Sequence, residues 1–75
     1  MKIYKVGDKF RNSNSKEEYV LVSVYPRIYG DKVCLINLTT WQSLTLPIIV
    51  GNIEKITHEE MKLFTDNSPY IQKIN

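Results

Sequence analysis

The chemistry on which small enzymes most often draw is confined here to two residues, a single thiol, Cys34, and a single imidazole, His58. Cys34 sits between Val33 and Leu35, where a small buried thiol is the expected outcome, and a reactive thiolate would need a nearby cation. His58 falls at the start of a short helical pattern, where it reads as a solvated helix residue. One Cys and one His cannot assemble a structural metal site, and a lone Cys forms no internal disulfide. Two carboxylate pairs occur, Glu17-Glu18 and Glu59-Glu60. Neighbours in sequence point to different sides of an element, and the second pair is explained by helix capping. With no Gly-rich phosphate loop and no nucleophile elbow, the expectation is a protein that is not an enzyme, with no catalytic, cofactor-binding or metal-binding residues.

Two groups of residues suit binding. Tyr25, Tyr29 and Trp41 fall at or beside turns with Arg27 between the two tyrosines, and Tyr, Trp and Arg are enriched at interface hot spots. They form the candidate surface for a protein partner; Trp41 can equally serve the core of so small a domain. The second group is cationic. Lys2, Lys5, Lys9, Arg11, Lys16, Arg27 and Lys32 outnumber Asp8, Glu17, Glu18 and Asp31, so the first half carries net +3 and the remainder net −1. Lys5, Lys9, Arg11, Arg27 and Lys32 are the candidates for the alternative, a nucleic-acid-binding barrel. Such binding needs roughly six to ten phosphate contacts, and strand alternation works against gathering these cations on one face.

The elements that must carry these residues are mostly strands. Ile3 to Val6 alternates and runs through Gly7-Asp8 into Lys9-Phe10-Arg11, before Asn12-Ser13-Asn14-Ser15 breaks the pattern and turns on its own side chains. Tyr19 to Tyr25 alternates two faces, Val20/Val22/Val24 against Tyr19/Leu21/Ser23/Tyr25. Pro26 stops it, Tyr29-Gly30-Asp31 turns, and Lys32 to Leu38 returns antiparallel. Thr39 to Gln42 forms a looser turn, Ser43 to Leu46 a shorter strand, Ile48 to Val50 a return beyond Pro47, and Ile53 to Ile56 a last strand after Gly51-Asn52. Thr57 followed by Glu60 is a capping box, with Ile56 and Met61 placed as a hydrophobic staple, and predicts a helix over residues 58–65. That helix is too short to stand alone, so Met61, Leu63 or Phe64 must pack on the sheet. Residues 66–75 form a tail in which Tyr70 to Ile74 can pair with Ile3 to Val6 or remain unpaired.

The 75 residues are 43% hydrophobic and 24% charged, enough for one core in a single domain spanning residues 1–75. Short strands joined by turns predict a mainly β fold, a small partly open antiparallel barrel of five or six strands with one short C-terminal helix. The segments Gly7-Asp8-Lys9-Phe10, Glu18 to Val24, Val33 to Leu38 and Asn52 to Thr57 resemble small SH3-like β-barrel proteins of low-GC Gram-positive bacteria and their phages or mobile elements. The resemblance covers strand and turn patterns and transfers no catalytic or binding residue; it implies an accessory protein of a phage or mobile element, whereas the expectation of a non-enzymatic binding module rests on the residues. Where it leads one to expect a Gly in the turn near Thr40, this chain has Thr and Trp. With no signal-peptide core and no membrane-spanning stretch, cytoplasmic residence is expected. A monomer is favoured over a homodimer if the tail folds back on its own chain.

Overall fold

Alternation dictates the centre of the molecule. In the computed structural model, which describes residues 3–24, 30–44, 46–65 and 70–74, strands β3 (Glu18–Val24) and β4 (Asp31–Asn37) form an antiparallel hairpin with Leu21 opposite Leu35 and Tyr19 opposite Asn37. On one face Tyr19, Leu21, Val33 and Leu35 are buried; Val20, Val22, Val24 and Ile36 on the other are half-buried. Strands β2 (Lys9–Asn12), β5 (Ile48–Val50) and β7 (Ile71–Lys73) extend this pair into one antiparallel sheet of order β5-β4-β3-β2-β7. The sheet curls into a half-barrel, the mainly β, partly open architecture expected. A separate ribbon pairs β1 (Ile3–Tyr4) with β6 (Ile56–Thr57), and α1 (His58–Thr65) follows directly.

Four details depart from the expected elements. The first strand is broken in two, because Gly7 takes φ +100°, a conformation a side chain disfavours, at the third position of a turn from Lys5 to Asp8. The buried Asp8 carboxylate accepts the Lys5 amide at 3.0 Å to hold that turn, and the ladder to β3 resumes through Gly7 N to Leu21 O. Within the expected strand from Ser43 to Leu46, the described residues show a bridge from Ser43 to Ile36 rather than a strand, and Ile53 to Lys55 is a turn, with Asn52 Oδ1 accepting the Glu54 amide. The tail does pair, but with β2 rather than with Ile3 to Val6: Phe10 faces Lys73 and Asn12 faces Ile71. The physical reason is that β6 already occupies β1, whereas β2 has an open side away from β3, and pairing there brings Ile71 into the core.

The core joins both sheets and the helix: Tyr4, Phe10, Tyr19, Leu21, Val33, Cys34, Leu35, Val50, Ile56, Met61 and Ile71 form one buried cluster. Tyr4 and Phe10 meet in a tilted ring pair at 5.7 Å. Of the three helix residues expected to pack, Met61 is buried, which stabilises by about 1.5–3 kcal/mol, and Leu63 is exposed, while the Phe64 side chain lies outside the described residues. The capping box forms: Glu60 N donates to Thr57 Oγ1 at 3.2 Å and the Thr57 amide donates to Glu60 Oε1 at 3.0 Å.

Candidate interaction surface

One end of the half-barrel is built by two copies of a single turn. Asn12 ends β2 and Asn37 ends β4, strands that run the same way because β3 lies antiparallel between them. Asn12 Oδ1 accepts the amides of Asn14 and Ser15 at 2.9 and 3.1 Å; Asn37 Oδ1 accepts those of Thr39 and Thr40 at 2.7 and 3.2 Å. The carbonyl of each Asn accepts from the fourth residue on, Lys16 at 2.7 Å and Trp41 at 2.8 Å. The amide of each Asn then donates to the next residue's carbonyl, Glu17 at 2.8 Å and Gln42 at 2.9 Å. To close this loop the fourth residue must turn left-handed, and Lys16 and Trp41 do so at φ 67° and 61°. Glu17 ties the two turns together, its Oε2 accepting from Asn37 Nδ2 at 3.2 Å and from Tyr19 Oη at 2.9 Å. Burial and this carboxylate both push the Tyr19 phenol up, so it stays a neutral donor.

Lys16 and Trp41 therefore occupy equivalent places on adjacent turns, two strands or on the order of 10 Å apart. Both are exposed, Trp41 to 72%. The expectation left Trp41 open between core and surface, and it lies at the surface. It also takes the left-handed position of the turn near Thr40 in which the resemblance led one to expect a Gly. Lys16 was missed as a member of this surface, since nothing local in Asn14-Ser15-Lys16 marks a left-handed residue. Tyr25, Arg27 and Tyr29 lie outside the described residues.

The cations distribute less favourably. Lys9, Arg11 and Lys32 share the outer face of the sheet by register, Lys9 beside Val20 and Lys32 beside Val24. The Arg11 guanidinium, however, is tied to Glu18 at 2.7 Å. Lys9 and Lys32 are two strands and four residues apart, about 16 Å. Lys5 belongs to the Gly7 turn, and Arg27 lies outside the described residues.

The two residues considered for catalysis lie in different elements, Cys34 in β4 and His58 at the start of α1. Cys34 is buried and burial pushes its thiol up, away from thiolate. His58 stacks on Tyr4 with ring centres 6.2 Å apart and Nδ1 3.3 Å from Tyr4 Oη. Among the described residues there is no group of His, Cys, Asp or Glu able to hold a metal ion, and no helix long and apolar enough to cross a membrane. No family model matches the chain, nor does any curated protein or solved structure.

Proposed function

We propose that the protein is a non-catalytic binding module that holds a protein partner at the end of the half-barrel carrying Trp41 and Lys16. The observation that carries this reading is the state of Trp41. A left-handed backbone costs a residue with a Cβ about 1 kcal/mol or more relative to Gly. The indole, 72% exposed, also forgoes the stabilisation that burial would give. The backbone cost runs against folding, and an exposed Trp is the residue type of an interface anchor. The Asn37 turn holds the backbone beneath it in one conformation, which lowers the ordering cost of binding.

The nucleic-acid alternative is supported less well. Among the described residues, the outer face gathers Arg11, tied to Glu18, with Lys9 and Lys32 about 16 Å from each other, short of the roughly six to ten phosphate contacts such binding needs.

The test compares proteins recovered from a native-host lysate by wild-type bait, Trp41→Gly and Leu63→Ala, the last an exposed control on the helix. Trp41→Gly is expected to melt at the same temperature or higher and to lose partners that Leu63→Ala retains. Identical recovery by wild type and Trp41→Gly overturns the reading. Recovery abolished by nuclease or by moderate salt overturns it in favour of nucleic acid.

A further inference from the structure

We infer that two copies of the chain associate through the outer edge of β7, their strands antiparallel about a two-fold axis at Gln72. Hydrogen-bond directions carry the first step. Ser13 N donates to Tyr70 O and Ile74 N to Lys9 O, each at 3.0 Å, bracketing the Arg11–Gln72 pair. Tyr70, Gln72 and Ile74 thus direct their backbone groups at β2, and by alternation Ile71 and Lys73 direct theirs outward. Among the described residues, nothing pairs with that side.

The opposite edge of the sheet is guarded, and the contrast is informative. Asn37 N to Gln42 O and Leu44 N to Leu35 O bracket the Ile36–Ser43 bridge. Alternation along β4 then turns Ile48 and Val50 toward β4 and leaves Ile49 facing outward. The outward positions on either side of Ile49 are closed: Pro47 has no amide hydrogen, and the Gly51 amide is taken by Glu60 Oε2 at 2.9 Å. These are devices that blunt an edge against strand addition. The outward residues of β7, Ile71 and Lys73, carry neither. Lys73 is its one charge, and Asp8 already compensates it at 3.4 Å.

The occupant that fits is a second copy, because the strand is complementary to itself about Gln72. Ile71 of one copy pairs with Lys73 of the other, twice, which gives four backbone hydrogen bonds. On the outer face Tyr70 meets Ile74 of the second copy, also twice, an aromatic with a β-branched residue. These two side chains are 53% and 43% exposed. No lysine meets its own copy. So short a strand buries less than about 1,000 Å², so the dimer is weak and concentration-dependent.

Sedimentation over a concentration series into the millimolar range tests association, and Gln72→Cys tests the axis. In this register the two Gln72 Cα atoms lie about 4.5 Å apart, within disulfide reach. Mild oxidation should cross-link Gln72→Cys at least ten times faster than the exposed helix control Lys62→Cys. The double variant Tyr70→Lys/Ile74→Lys should lose the dimer, and Tyr70→Glu/Ile74→Lys should regain it, since the latter sets opposite charges across the axis. A wild type monomeric at every concentration, equal cross-linking of the two cysteine variants, or equal loss in both charge variants overturns the inference. None of these results depends on Trp41, so the dimer and the partner surface fail separately.

Discussion

Glu60 joins three segments through one carboxylate. Its Oε1 accepts the Thr57 amide at 3.0 Å and the Thr57 hydroxyl at 3.2 Å, and its Oε2 accepts the Gly51 amide at 2.9 Å. The Thr57 backbone bond is the main reason its pKa is held below the usual glutamate value; partial burial opposes the shift and the Gly51 bond adds to it. Because the folded state favours the ionised form, the unfolded chain takes up its proton at higher pH. The resulting stability is complete above the ordinary range near pH ~4.3 and is lost as pH falls through the lower folded value. Denaturation at several pH values should therefore find Glu60→Gln less stable than wild type at neutral pH, with the gap closing in acid; a gap constant with pH removes the ionic contribution. Thr57→Ala should cost about 1 kcal/mol at neutral pH by the same measurement, the usual loss for an N-cap. The Thr57–Glu60 spacing was legible in the sequence because a capping box is local. The Gly51 bond was not, since it spans nine residues and depends on where β5 ends.

At the scale of elements, the two Asn turns form the candidate surface, and they were legible to different degrees. Four consecutive Asn and Ser residues after Phe10-Arg11 announce a loop that bonds to itself, and Asn12 does so. Asn37 sits inside the apolar alternation from Val33 to Leu38 and reads as a strand residue; it does end β4, but nothing local shows that its side chain also builds the next turn. The left-handed residues four positions on were illegible, because neither Lys16 nor Trp41 is a type that favours φ above zero. Asn37 is buried and its amide also reaches Glu17, whereas Asn12 is only half-buried. Asn37→Ala should therefore cost about 2 kcal/mol or more and Asn12→Ala about 1 kcal/mol, as urea midpoints measure. Equal losses would mean that the Glu17 bridge contributes nothing to holding Trp41.

For the whole molecule, alternation along the chain separates the two faces of β3 and β4, yet it does not decide which of them becomes the core. Val20, Val22 and Val24 make the more β-branched face, but the ribbon, the helix and β7 bring Tyr4, Ile56, Met61 and Ile71 to the side carrying Tyr19 and Leu21. That choice is made by residues distant in sequence. The same holds for the tail: Tyr70 to Ile74 alternates visibly, but its partner is decided by which strand has an open side once β6 has taken β1. A consequence is that β7 closes the molecule, covering the β2 edge, burying Ile71 and setting Lys73 beside the buried Asp8. Deleting residues 68–75 removes Ile71, whose burial is worth about 1.5–3 kcal/mol. It also leaves Asp8 in the interior with the Lys5 amide but no cation, a further cost of about 1–3 kcal/mol. Together these approach the stability a 75-residue chain can hold, typically about 5 kcal/mol. The truncated chain should therefore lose most of its cooperative urea transition and all of its tendency to dimerise. A truncated chain with an unchanged midpoint would show that β7 supports neither the core nor the Asp8 charge.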